Sequence, residues 1–194
     1  CPKVKESQLK AKALAEKGFT LFLAGEVKHA EIIGILGYAG KTSQVVSDAS
    51  EAEAAAKKLY ETDKDAQAAL LGQTTISEEE YLSISGAIKK YFPNLEIVQT
   101  ICDATSNRQK ALRELLDHVD AVIIAGGKES ANTRRLFSIA RKSGKPCALV
   151  ETAAEIPPAF RACKTVGLCA GASTPDSVID EIERELESAS LSRL

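Results

Sequence analysis

The 194-residue chain contains no apolar run approaching the roughly 20 residues of a membrane span, so no transmembrane helix is expected. It lacks an excess of positive charge. With a formal net charge of -2, it gives no electrostatic reason to expect nucleic acid or an anionic membrane as a partner. It has no Cys-x-x-Cys pair of the kind that holds structural zinc, and its glycines fit neither the Walker spacing nor the dinucleotide-binding fingerprint. No signal sequence is visible. Five cysteines cannot all pair within one chain, and 27% charged content fits a reducing compartment, so a cytoplasmic protein is expected. If a transit segment has been removed, a plastid-type organelle fits equally. Residue 1 is a cysteine instead of methionine, so an upstream segment is expected.

What the chain does have is an internal echo. Cys1 and Cys102 each precede a helical stretch and then a buried apolar strand, Thr20-Leu-Phe-Leu-Ala-Gly25 in one case and Ala121-Val-Ile-Ile-Ala-Gly126 in the other. The two glycines lie 24 positions beyond their cysteines; His29 and Ser130 lie 28 beyond, and Glu31 and Asn132 lie 30 beyond. Farther on, Gly72-Gln-Thr-Thr-Ile-Ser77 answers Gly171-Ala-Ser-Thr-Pro-Asp176, pairing Thr74 with Ser173. An echo of this length predicts two similar units whose equivalent loops serve one shared site. The break Phe92-Pro93-Asn94 divides them into residues 1–94 and 95–194, each of ordinary small-domain size.

Hydrophobic periodicity fills in the units. Helices are predicted over Lys3–Lys17, Glu51–Tyr60, Ser77–Tyr91, Asn107–His118, Asn132–Lys142 and from Thr174-Pro175-Asp176 onward, where a hydroxyl cap, a proline and an acid stand in order. Strands are predicted over Phe19–Ala24, Ala68–Gly72, Leu95–Ile101, Val119–Ala125, Cys147–Glu151 and Val166–Ala170. Alternation of this kind predicts an α/β fold of two pseudo-symmetric units, each a small parallel sheet flanked by helices. Ligands in such folds bind beyond the carboxyl ends of the strands, where the polar motifs fall.

The glycine-containing turns Gly126–Thr133, Ala170–Thr174 and Gly72–Thr75 offer backbone N–H groups and hydroxyls suited to phosphate. His29 and Glu31, just past a buried strand, can donate to a diphosphate and carry a proton. Read singly, each is also an ordinary cap, turn or solvated loop. His118 reads as a helix-terminal surface residue. Cys1 and Cys102 stand beside polar loops as thiolate ligands to a soft metal or iron–sulfur centre would, whereas Cys147, Cys163 and Cys169 read as small core hydrophobes.

Taken together, Cys1-Pro2, His29–Gly34, Gly72–Thr75, Ile101–Gln109, Gly126–Thr133 and Ala170–Asp176 closely resemble the 4-hydroxy-3-methylbut-2-enyl diphosphate reductase family, from Cys1 to about Glu187. This resemblance implies a three-unit architecture around a central [4Fe-4S] cluster, with one cysteine from each unit. It implies that Cys1 and Cys102 are the second and third ligands and that Glu31 is the proton relay. By the same resemblance His29, Thr74, Ser130, Asn132 and Ser173 bind the diphosphate or the substrate alcohol, with Thr75 beside them. Ala131 stands where many relatives have a second serine, so one hydroxyl contact is missing there. The family's first unit, with the remaining cysteine and two further histidines, is absent from this sequence. The resemblance thus implies a chain that is inactive without that unit, in cis or in trans, and a ferredoxin or flavodoxin as electron donor. Two other readings compete: a non-catalytic diphosphate-binding relative, and a generic two-lobed α/β ligand-binding module.

Overall fold

A computed structural model describes residues 1–191 as alternating strands and helices in two compact units. The first unit runs from Cys1 to Ser106 and the second begins at Asn107. In the first lie α1 (Pro2–Glu16), β1 (Thr20–Ala24), α2 (Ala30–Leu36), β2 (Gln44–Val46), α3 (Ala49–Thr62), β3 (Ala68–Gly72), α4 (Glu78–Lys89) and β4 (Glu96–Ile97). Helix α5 (Asp103–Leu116) carries the chain across. The second unit continues with β5 (Ala121–Ala125), α6 (Ala131–Lys142), β6 (Cys147–Val150), two short 3-10 turns, β7 (Val166–Ala170) and α7 (Asp176–Leu191).

All strand pairings are parallel, in the order β2-β1-β3-β4 in the first sheet and β6-β5-β7 in the second. The central strands β1 and β5 are buried along their whole length, which explains their uninterrupted apolar sequences. Alternation then sorts their side chains. Phe22 and Ala24 face Ala52, Ala56, Ile84 and Ile88 of α3 and α4, while Leu21 and Leu23 face Ala11, Leu14, Ile32 and Ile35 of α1 and α2. In β5, Ala121, Ile123 and Ala125 face Ile182 of α7, while Val122 and Ile124 face Leu112, Leu116, Leu136 and Ala140 of α5 and α6. Helices therefore cover both faces of each sheet.

The shared order, central strand first with neighbours on either side, is the topological form of the sequence echo. Helix α2 and strand β2 have no counterpart among the predicted elements, and two predicted features depart from expectation. Only Glu96–Ile97 of the segment Leu95–Ile101 forms a strand, and it pairs with β3, so this segment closes the first sheet instead of opening the second. Tyr81 fastens it: its buried hydroxyl lies 2.8 Å from Leu70 O and 2.7 Å from Val98 O, and burial pushes the phenol pKa up. Thr174 does not cap α7 with its hydroxyl, which donates to Ala125 O at 3.0 Å. No helix among the described residues is long and apolar enough to cross a membrane.

Gly126 takes φ +138°, and a Cβ there would lie 2.5 Å from Thr174 Oγ1. Both the backbone angle and the contact demand glycine. Gly126→Ala is expected to destabilise the second unit by about 2–4 kcal/mol, combining backbone strain with overpacking. Urea unfolding measures it, and a loss below about 0.5 kcal/mol, the range of neutral surface changes, contradicts the assignment.

Candidate functional site

The first unit's site forms where β1 ends. Gly25 turns the chain and donates to Val46 O at 3.0 Å. His29 then caps α2, its Nδ1 accepting from Glu31 N at 3.3 Å. That acceptor role leaves the ring proton on Nε2, free to donate outward. His29 and Glu31 thus lie on a short helix, not in the loop that their sequence setting suggests. Glu31 in the first turn is nearly buried, at 8% exposure.

A buried carboxylate needs hydrogen-bond partners. Thr74, just past the end of β3, supplies two: its N–H donates to Glu31 Oε1 at 2.8 Å and its hydroxyl to Glu31 Oε2 at 3.0 Å. The Thr74 carbonyl in turn accepts from Cys102 N at 3.0 Å. All three polar groups of Thr74 are therefore engaged, and His29, Glu31, Thr74 and Cys102 form one bonded series. A residue that sequence reasoning did not single out, Gln73, braces it. Almost wholly buried, Gln73 accepts from Glu26 N at 3.1 Å and donates to Thr75 Oγ1 at 2.8 Å. Its only sequence signal is its place in Gly72-Gln-Thr-Thr75.

Cys102 is half-exposed and immediately precedes α5, its carbonyl accepting from Thr105 N and Ser106 N. Cys1 is exposed and occupies the N-cap position of α1, with no side-chain cap bond. Both thiols are free and sit at helix N-termini. In kind they suit an iron–sulfur cluster; in number they fall short. Among the described residues no group of three His, Cys, Asp or Glu could hold a metal. Cys147 and Cys169 pack against the second unit's core, and burial pushes both thiols up. Cys163 is half-buried against the other face, its thiol 3.9 Å from Ala159 O.

The second unit repeats the construction with neutral groups. Gly126 donates to Val150 O at 2.9 Å, Ser130 caps α6 by accepting from Thr133 N, and Asn132 takes Glu31's place in the first turn. Ala131 lies between them, half-buried. The backbone corrects one pairing. Gln73 N donates to Ala24 O at 2.7 Å and Gly171 N to Ala125 O at 2.9 Å, so Gln73 and Gly171 are equivalent. Thr74 therefore corresponds to Ala172, and Thr75 to the exposed Ser173; the sequence matching of Thr74 with Ser173 was one residue out of step.

That slip has a chemical consequence. Where Thr74 clamps Glu31, Ala172 has no hydroxyl to offer Asn132. The Asn132 amide is buried at both Oδ1 and Nδ2 with no hydrogen-bond partner. An orphaned buried amide costs about 1–3 kcal/mol, which a polar ligand at the N-terminus of α6 would recover. Thr133 Oγ1 is also unpartnered, wedged where a Cβ on Gly171 would come within 2.3 Å.

Comparison with known proteins gives a consistent answer. A family model described as LytB protein matches residues 1–187. A 4-hydroxy-3-methylbut-2-enyl diphosphate reductase from Treponema denticola is 46% identical over 186 residues, 96% of this chain and 64% of that protein. A protein of the same name from Solidesulfovibrio magneticus is 42% identical over 190 residues, 97% of this chain and 65% of that protein. The solved Plasmodium falciparum E-1-hydroxy-2-methyl-but-2-enyl-4-diphosphate reductase superposes with a TM-score of 0.86 over 95% of this chain and 57% of its own; at 24% identity this speaks to fold. The chain thus spans between 53% and 66% of the lengths of the relatives it matches. Matched from Cys1 into its last helix, and sharing both sequence and fold with these proteins, the chain belongs to the LytB protein family.

Proposed function

We propose that this chain provides the second and third units of an oxidoreductase that removes the hydroxyl of 4-hydroxy-3-methylbut-2-enyl diphosphate, giving isopentenyl and dimethylallyl diphosphate. The observation that carries this reading is the contrast between two equivalent strand ends. One holds a buried carboxylate bonded into a series ending at a cysteine; the other holds a neutral, unpartnered amide at a helix N-terminus. The first suits proton delivery and the second suits an anion.

The reaction consumes two electrons and two protons: the C–O bond breaks, the oxygen leaves as water, and a C–H bond forms at either end of the allyl group. Each side chain has a role within its own unit. Ser130, Asn132 and Ser173 hold diphosphate oxygens, and the N-terminus of α6 adds positive potential. Asn132 is already desolvated, so binding costs it no further dehydration. Ala131 contributes backbone only. His29 donates from Nε2, since Nδ1 is committed to Glu31 N. Glu31 passes a proton by way of Thr74, whose hydroxyl already lies on its carboxylate, while Thr75 is held beside them by Gln73.

Cys1 and Cys102 are assigned as two thiolate ligands of a [4Fe-4S] cluster, the third coming from a unit upstream of Cys1. When bound, that cluster would supply the electrons and a Lewis-acidic iron for the substrate hydroxyl. In this reading the chain's two repeats are two units of a three-unit enzyme, inactive without the first. A ferredoxin or flavodoxin supplies electrons, and the cytoplasm, or a plastid-type organelle, supplies the reducing setting. A diphosphate-binding relative without catalysis would show binding and no turnover.

Two experiments test the roles. In the full-length protein, Glu31→Gln is expected to lower turnover by about 10²–10⁴-fold with the iron content unchanged; Thr74→Val, keeping the backbone donor and losing the hydroxyl, should cause a smaller loss. Near-normal rates in Glu31→Gln would remove it from proton delivery. For the anion site, Asn132→Leu should leave the ligand-free protein equally stable or about 1 kcal/mol more stable. The same variant should weaken inorganic pyrophosphate binding about tenfold, measured by calorimetry. Unchanged pyrophosphate affinity would take Asn132 out of the site.

A further inference from the structure

The second unit is electrically lopsided. Helix α7, on one face of the sheet, carries Asp176, Asp180, Glu181, Glu183, Glu185 and Glu187 against the single Arg184. On the other face, α6 carries Arg134, Arg135, Arg141 and Lys142 and no acid. Arg134, Phe137, Ser138, Arg141 and Lys142 fall at helical spacing on one stripe of α6. With Lys128 and Leu149 of β6 they line an open groove of about 600 Å³. Its middle is apolar, with Phe137 and Leu149 half-buried, and its rim is cationic.

The charge at the two ends differs. At the α6 N-terminus Lys128 is neutralised by Glu155 at 2.7 Å, and Glu155 is held below the usual carboxylate range chiefly by that bond. At the C-terminal end Arg141 and Lys142 are exposed and make no ion pair among the described residues. A helix C-terminus favours cations locally, which explains their presence. It does not account for the continuous stripe or for the apolar floor between the charges. An apolar centre inside a charged rim is the anatomy of a protein-docking surface.

We propose that this α6 face docks a small acidic electron-carrier protein. The inference rests on the reductase reading above, which needs two electrons from outside this chain for each hydroxyl lost as water. An acidic carrier matches the cationic rim, and the field between α6 and the acidic α7 orients it toward this face during encounter. The stripe begins two residues beyond Asn132 and runs to the C-terminal end of α6, about 12 Å. A carrier seated there lies against the same helix whose N-terminus is assigned to the diphosphate. Nucleic acid fits less well, because the chain as a whole is net negative and the groove floor is apolar.

The test uses a plant-type [2Fe-2S] ferredoxin as the acidic probe and Arg141→Glu/Lys142→Glu as the variant. Both residues lie outside the assigned machinery. Ferredoxin binding by calorimetry at low ionic strength should weaken about tenfold in the variant, and the wild-type affinity should fall as salt is raised. In the full-length enzyme the ferredoxin-driven rate should drop similarly, while the rate with reduced methyl viologen stays unchanged. A second variant, Arg141→Gln/Lys142→Gln, removes the charge without placing an acid at the helix C-terminus, so its loss cannot be laid to instability. Equal ferredoxin affinity in wild type and both variants overturns the proposal. So does preferential binding of a DNA duplex to this face. A wild type inactive with methyl viologen would overturn the reductase reading instead, while the binding measurement still judges the surface.

Discussion

The carboxylate of Glu31 is nearly out of water, and a buried negative charge persists only where donors meet it. Thr74 meets it twice, with backbone and hydroxyl, and by doing so ties the start of α2 to the end of β3. The remaining polar group of Thr74, its carbonyl, then fixes the backbone of Cys102. One threonine thereby sets the position of the proposed proton carrier and of a proposed cluster ligand. Gln73 secures the turn that precedes α2 through Glu26 and also holds Thr75. The glycine turn after β1, the histidine cap and the buried acid all depend on this small set of bonds.

The second unit shows what happens when the same scaffold loses that partner. Its strand order, glycine turn and capped helix are retained, but Ala172 stands where Thr74 would be and Asn132 where Glu31 would be. A charge in that pocket would be stranded, whereas a neutral amide can wait unpartnered at a bearable cost. The two units diverge at the residue pair that, in the proposed function, separates proton delivery from anion binding. Everything beneath that pair is common packing: a five-residue central strand sorting its side chains between two helical layers.

Much of this was legible in the sequence because it follows from period and spacing. The strand Ala68–Gly72 and the Ser77 cap of α4 were readable from apolar runs and capping chemistry, and the structure has both. The helix α2 was hidden: seven residues with His29 as cap give neither enough periodicity nor a usual capping residue. The fate of Leu95–Ile101 was hidden too, since which sheet a strand joins is a long-range choice that local pattern does not encode. The one-residue slip between Thr74 and Ser173 arose from aligning glycines, where the structure aligns backbone hydrogen bonds. Gln73 escaped notice because its importance lies wholly in tertiary partners. The closeness of Glu31, Thr74 and Cys102 could be suspected only from the motifs and is explicit in the bonds.

In the proposed function the chain is one part of a cluster enzyme, with two thiols of its own and a third from elsewhere. The most direct measurement is turnover of 4-hydroxy-3-methylbut-2-enyl diphosphate after anaerobic iron–sulfur reconstitution, with reduced methyl viologen as donor. It is made on this chain alone and on the chain joined to the further unit proposed to precede Cys1. The account predicts no turnover from the chain alone and turnover from the extended protein. Full turnover from residues 1–194 by themselves would contradict it.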